Sequence, residues 1–131
     1  MKRLKLRTFQ IGSSPKRGQG LRIGTTRRPP RGVPRARWQR GGYFDVWLPT
    51  LAPSLQLLRR TPIKRFNESA VRERFFAAYE REMEHTGPRQ TIALLASIAR
   101  TTPISIGCFC ADESRCHRSR LRRLIERAAR S

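Results

Sequence analysis

All three cysteines of the chain and one of its two histidines lie in a single short segment, GCFCADESRCHRSRL, at residues 107–121. A thiol at a helix N-terminus beside arginine and histidine should have a lowered pKa, and its thiolate would then be a nucleophile near neutral pH. Cys110, Cys116 and His117 are therefore candidate catalytic residues, with a cysteine as thiolate and the histidine as proton carrier. Arg118 is a candidate anion ligand, because a guanidinium group binds phosphate and carboxylate in a bidentate manner.

Two other interpretations of this segment stay open. Zinc could be held by Cys108, Cys110, Cys116 and His117, although Cys-x-Cys and an adjacent Cys-His pair match the usual spacing of zinc ligands poorly. Alternatively, the cysteines are small buried hydrophobic residues and His117 is hydrogen-bonded in the core. We therefore expect no cofactor and keep zinc as the alternative.

The elements around this segment predict an α/β fold. ISIGCFC, residues 104–110, is short and almost wholly apolar, which is typical of a buried strand in a mostly parallel sheet. The helix after it places His117 on the same face as Leu121, Leu124, Ile125 and Ala128, so the imidazole should point inward. Open α/β sheets bind ligands beyond the carboxyl ends of their strands, and we expect the pocket there.

The rest of the chain supports this fold class. LKLRTFQIG and LRIGTT predict two more strands joined by a loop. Apolar residues at helical spacing predict a helix that Asn67 caps and that Gly87 and Pro88 end, and a second helix from about Pro88 to Arg100. Asp112 or Ser114 could cap the last helix. We predict a small, mostly parallel sheet flanked by helices, in a single layered domain that spans residues 1–131.

The charge of the chain is strongly positive. Twenty-nine Lys and Arg residues against nine Asp and Glu give a net charge of +20, and residues 1–44 contain no acidic side chain. Basic loops are predicted at residues 12–20 and 25–42. Such a field attracts polyanions, so the expected partner is a phosphorylated small molecule or a nucleic acid. Arg27 and Arg31 would clamp this anion from the sheet edge that carries the cysteines, unless the loop is merely a solvated basic surface.

The sequence also bears on location. The longest apolar run, IALLASIA, is too short to span a bilayer, and the basic N-terminus lacks a small-residue cleavage site. An odd number of crowded cysteines favours reduced thiols over a disulfide framework. We expect a soluble cytoplasmic protein that does not bind membranes. The oligomeric state is left open.

Three segments together resemble one protein family. GCFCADESRCHRSRL is similar to the Cys, Cys-His-Arg segment of the YeaO-like proteins, a bacterial family of unknown function, and RRPPRGV (27–33) and WLPTLAPS (47–54) resemble two further segments of that family. The resemblance implies an α/β fold and an intracellular location, but no reaction. It marks as motif positions Arg27, Arg31, Trp47, Pro53, Ser54, Tyr79, Cys110, Cys116, His117 and Arg118. Thr26 and Pro29 depart from the pattern, which has an acidic and an aromatic residue there, and an activity that needs the acidic residue would be affected.

The residues favour a pocket that binds, or carries out thiol-assisted chemistry on, a phosphorylated or nucleic-acid-like anion. One alternative is a non-catalytic nucleic-acid-binding protein that stacks bases on Trp38, Tyr43 or Phe44, and another is a small zinc-binding module. Whether the protein is an enzyme is not decided by the sequence. The favoured interpretation requires that the turns of Arg27, Arg31 and the cysteine segment meet around one cavity.

Overall fold

Four parallel strands form the centre of the computed structural model, which describes residues 3–130. The strands are β1 (Leu6–Gln10), β2 (Leu21–Gly24), β3 (Val46–Trp47) and β4 (Ile104–Cys108), and their order in the sheet is β1-β4-β2-β3. Ile104 lies opposite both Leu6 and Leu21. Every residue of β4 is buried, as the apolar composition of a central parallel strand predicts. The all-parallel sheet and the helices packed on it confirm the predicted α/β fold.

Four helices surround the sheet: α1 (Leu55–Arg60), α2 (Ser69–Glu82), α3 (Thr86–Ile98) and α4 (His117–Ala129). Short 3-10 turns connect several of these elements. The main core lies between the sheet and the helices, and its fully buried side chains include Ile23, Leu51, Tyr79, Ile106, Leu121 and Ile125. Among residues 3–130, no helix combines the length and the apolar character that crossing a membrane requires.

Two predicted helix boundaries are wrong. Asn67 does not cap α2, because the helix begins at Ser69 and the N-cap position is occupied by Glu68 without a side-chain hydrogen bond. Gly87 and Pro88 do not end α2 either, since they lie in the first turn of α3. Proline is tolerated there because the amides of a first turn have no acceptor within the helix.

The connection from β4 to α4 also differs from the prediction. Asp112 caps a separate 3-10 turn, Glu113–Arg115, by accepting a hydrogen bond from the Ser114 amide at 3.0 Å. Cys116 occupies the N-cap position of α4, so neither Asp112 nor Ser114 caps that helix. The extra turn brings the chain back over the end of β4 before α4 begins.

Residues 25–42 contain only one 3-10 turn, Arg35–Arg37, and are held to the body of the protein by polar contacts. The indole of Trp47 donates to the Thr26 carbonyl at 2.8 Å, and the buried Arg22 guanidinium donates to the Gly42 carbonyl at 3.4 Å. A small second core of Phe9, Ile11 and Phe44 lies beneath this region. Phe44 is only 1% exposed, so the prediction that it could stack a base is wrong.

Candidate functional site

The three cysteines form one cluster where β4 ends and α4 begins. Their Sγ atoms all lie within 4.8 Å of one another, and those of Cys108 and Cys110 are 3.9 Å apart. Cys108 and Cys116 are buried, whereas Cys110 is exposed. The cluster therefore lies at the carboxyl edge of the sheet and presents one thiol to solvent.

The neighbouring thiols determine which sulfur is ionised. Hydrogen bonds from Cys108 and then from Cys116 lower the pKa of Cys110 to about 2, and the positive charge of Arg118 acts in the same direction. The pKa of Cys108 is raised because its thiol proton is held by Cys110. The pKa of Cys116 is also raised, because its thiol proton is held in hydrogen bonds to the other two sulfurs and the group is buried. An acidic thiol is thus found at Cys110 and not at Cys116, although Cys116 is the cysteine at the helix N-terminus.

His117 lies buried behind the cluster, as its place on the apolar face of α4 predicts. Its Nε2 is 2.9 Å from the Thr25 carbonyl oxygen, and since a carbonyl can only accept, Nε2 carries the proton. Nδ1 is consequently an acceptor, and it lies 3.8 Å from Sγ of Cys116, within hydrogen-bonding distance of that thiol. Burial lowers the pKa of His117 to about 4, so the imidazole is neutral at physiological pH.

Arg118 contributes a buried positive charge beside the thiolate. Arg118 is only 3% exposed, and its Nη1 donates to the Cys110 carbonyl at 2.7 Å. Nε has no hydrogen-bond partner, and within the described residues 3–130 Arg118 forms no ion pair with a carboxylate. The Cys110 thiolate and, beyond ion-pair distance, the Asp112 carboxylate are nearby negative groups that interact with this guanidinium.

The two other candidate anion ligands lie differently. Arg27 follows β2 by three residues, but its Nε donates to the Pro53 carbonyl at 2.9 Å and its Nη2 to the Ala52 carbonyl at 3.1 Å. Arg31 is exposed. The carboxyl ends of β2 and β4 are neighbours, yet the contact between them runs through Thr25 and His117 rather than through an arginine. That Arg27, Arg31 and Arg118 bind an anion stays a prediction.

Several of the motif positions marked by the resemblance connect with one another behind the pocket. The hydroxyl of Tyr79 donates to the Leu51 carbonyl at 2.7 Å, and the tyrosine ring meets the His117 ring edge-on at 5.3 Å between centroids. The amide of Ser54 donates to Glu82 of α2 at 2.9 Å. These contacts join residues 51–54, α2 and α4, and they support the position of the imidazole.

Sequence reasoning missed two residues that shape the site. Thr25 contacts His117 across 92 residues of sequence, and only the order of the strands could have indicated this. Glu113 holds the loop between Cys110 and Cys116, because its carboxylate accepts a hydrogen bond from Thr8 of β1 and lies 3.5 Å from Arg122 of α4. The sequence did not indicate this contact between β1 and α4.

Comparison with known proteins gives one match. A family model named DUF488-N3a and described as the active DUF488-N3 subclade matches residues 6–129. The matched range contains the cysteine cluster, His117, Thr25 and the whole sheet. No curated protein and no solved structure matches the chain.

Proposed function

The chain belongs to the DUF488-N3a family, and from this premise we propose that the pocket around Cys110 binds a phosphorylated or nucleic-acid-like anion and acts on it by thiol chemistry. The observation that carries the proposal is the exposed Cys110 sulfur, whose pKa its two neighbouring thiols lower. The family description speaks of an active subclade, which agrees with a catalytic role. The narrower assignment to the YeaO-like proteins stays a prediction from three sequence motifs.

Each residue of the pocket has a role in the proposed reaction. The Cys110 thiolate forms a covalent bond with an electrophilic centre of the substrate as the bond from that centre to the leaving group breaks. The leaving group takes its proton from solvent, because the raised pKa of Cys116 makes that thiol a poor acid. Water then displaces the product from Cys110. His117 Nδ1 takes a proton from this water and passes it to solvent, which restores the Cys110 thiolate and the neutral imidazole. Arg118 stabilises the negative charge on the sulfur.

The charge of the surroundings supports an anionic substrate. The basic loop of residues 25–42 begins at Thr25, which touches His117, so its arginines extend from the edge of the pocket. Arg31 is exposed and can reach toward a ligand. Arg27 and Arg118 contribute positive charge, but some of their N–H groups already donate to backbone carbonyl oxygens. The three unpaired cysteines suit a reducing compartment, and we propose a cytoplasmic location.

The pH dependence of thiol alkylation tests the nucleophile. Iodoacetamide should label Cys110 first, at a rate that stays nearly constant between pH 5 and pH 7, because the thiolate is already formed there. Peptide mapping by mass spectrometry identifies the labelled residue. Cys110→Ser should remove the fast phase, and Cys116→Ser, which keeps a hydroxyl donor to the thiolate, is the matched control that should keep it. A labelling rate that climbs about tenfold per pH unit from 6 to 8, as for an ordinary thiol, contradicts the proposal.

The spacing of the sulfur atoms favours a second candidate function, a zinc site. Ligands of a tetrahedral zinc ion with bonds of about 2.3 Å are about 3.8 Å apart. The Cys108 and Cys110 sulfurs are 3.9 Å apart, and all three lie within 4.8 Å, so three cysteines could hold a metal ion. Nδ1 of His117, which faces Cys116, is a possible fourth ligand. A bound Zn²⁺ would require all three thiols as thiolates.

Metal analysis separates the two candidates. Protein purified without added metal would contain about one zinc per chain if the site is a zinc site, and Cys108→Ser, Cys110→Ser and Cys116→Ser would each lose it. A chelator would then speed alkylation by releasing the sulfurs. If the thiolate proposal holds, zinc is absent and the chelator leaves the alkylation rate of Cys110 unchanged.

A further inference from the structure

A cavity lies within the basic loop, and none of its lining residues belongs to the cysteine cluster. Its volume is about 370 Å³, and its walls include Pro34, Arg37, Arg40, Gly41 and Tyr43. This volume is in the range of small-ligand pockets, so the cavity can accept one unstacked nucleotide but not the width of a duplex.

The cavity carries positive charge that nothing in the described part of the protein neutralises. Six arginines lie between residues 27 and 40, and the first acidic residue after them is Asp45. None of the ion pairs formed within residues 3–130 involves these arginines. Arg37 and Arg40 face the same cavity, so their charges repel each other until an anion lies between them.

An aromatic ring completes the cavity, and the loop holds it in place. The Tyr43 ring packs against Gly41, where any side chain would meet the ring at 2.6 Å. The Gly41 amide donates to the Arg37 carbonyl at 2.9 Å, and the Tyr43 amide donates to the Trp38 carbonyl at 3.0 Å. The loop therefore fixes the tyrosine beside both guanidinium groups before any ligand binds.

We propose that this cavity binds single-stranded nucleic acid, with Arg37 and Arg40 on the phosphates and a base against Tyr43. Guanidinium groups beside an aromatic ring are the combination by which proteins hold a single strand without reading a groove. Duplex readers insert a helix or a β-ribbon into the major groove, and this loop has only the three-residue turn Arg35–Arg37. The inference rests on the proposed function for one point, that this strand is the anion presented to Cys110.

Fluorescence anisotropy with a labelled single-stranded oligonucleotide of about 12 residues tests the proposal at several salt concentrations. Two phosphate contacts contribute about 1.4 to the slope of log K against log salt, so Arg37→Gln with Arg40→Gln should reduce the slope by about that amount. Arg60→Gln with Arg81→Gln removes the same charge from the α1–α2 face and should leave the slope unchanged. Tyr43→Leu should weaken binding about fivefold or more without altering the slope.

Three results would overturn the inference: equal losses in the two double variants, equal binding of a duplex and the single strand, or no effect of Tyr43→Leu in protein with a native circular dichroism spectrum. Each would indicate a non-specific attraction of polyanions to a basic protein. Alkylation of Cys110, measured on the same protein, separates this inference from the proposed function. If the strand does not bind but Cys110 is alkylated rapidly and independently of pH, the inference is refuted and the proposed chemistry is not. If the strand binds normally but Cys110 is alkylated like an ordinary thiol, the proposed chemistry is refuted and the inference is not.

Discussion

His117 should make the protein lose stability in mildly acidic solution. Burial lowers its pKa to about 4 in the folded protein, against 6.5 for the free side chain, so the unfolded chain binds a proton at a higher pH than the folded chain does. Stability contributed by the neutral imidazole is therefore complete above pH 6.5 and is lost as the pH falls toward 4. This lowering of the pKa corresponds to a loss of about 2 kcal/mol between pH 7 and pH 5, and about 3 kcal/mol by pH 4.

The measurement is the free energy of unfolding from urea denaturation at pH 7, 6 and 5, where most carboxylates remain ionised in both states. His117→Gln keeps an N–H that can donate to the Thr25 carbonyl, but the glutamine side chain does not take up a proton in this pH range. The variant should be less stable than the wild type at pH 7 because ring packing against Tyr79 is lost. Its further decline to pH 5 should be about 2 kcal/mol smaller than that of the wild type, since the Cys110 thiolate contributes the same decline to both proteins. His85→Gln, at the exposed second histidine, is the control and should retain the wild-type decline. Equal declines in the wild type and in His117→Gln would refute the buried neutral imidazole.

Three further substitutions test other parts of the site. Tyr79→Phe leaves the Leu51 carbonyl buried without its donor and should cost about 1–3 kcal/mol in urea denaturation, and an unchanged midpoint would contradict this hydrogen bond. Ser54→Ala removes the side-chain N-cap of α1 and the hydrogen bond from the Ser54 hydroxyl to the Glu82 carboxylate in α2, so thermal unfolding should show a loss of about 1–2 kcal/mol, and no loss would mean that the cap is dispensable. Cys116→Ala removes a thiol donor and should move the alkylation profile of Cys110 to higher pH, and an unmoved profile would show that Cys116 does not stabilise the thiolate.

Local patterns were sufficient for the elements whose apolar residues give an unopposed signal of burial. The apolar run of β4 and the spacing of Leu121 and Ile125 on α4 each reflect a single preference, burial in the core, and both predictions are confirmed. Predictions failed where two local signals competed. Gly87 and Pro88 carry the signature of a helix end, but proline also fits the first turn of a helix. Because the link after α2 is short, both residues lie in the first turn of α3.

Short elements escaped prediction for a different reason. β3 has two residues, Val46 and Trp47, too few for a periodic pattern to develop. It exists because Val46 pairs with Ile23 of β2, a contact that sequence alone does not express. The direction of the Arg27 side chain could not be predicted for the same reason, because it depends on hydrogen bonds to the carbonyls of residues 52 and 53.

The sequence by itself determined that three thiols, an imidazole and a guanidinium would lie near the end of a buried strand, because these residues are neighbours along the chain and strand and helix geometry position them locally. Tertiary structure decided which thiol is ionised and which nitrogen of His117 carries the proton. Both depend on contacts that folding brings together, the crowding of three sulfurs by the turn at 113–115 and the Thr25 carbonyl supplied by β2. A pKa responds to every charge, donor and desolvating surface within a few ångströms, and those neighbours come from distant parts of the chain.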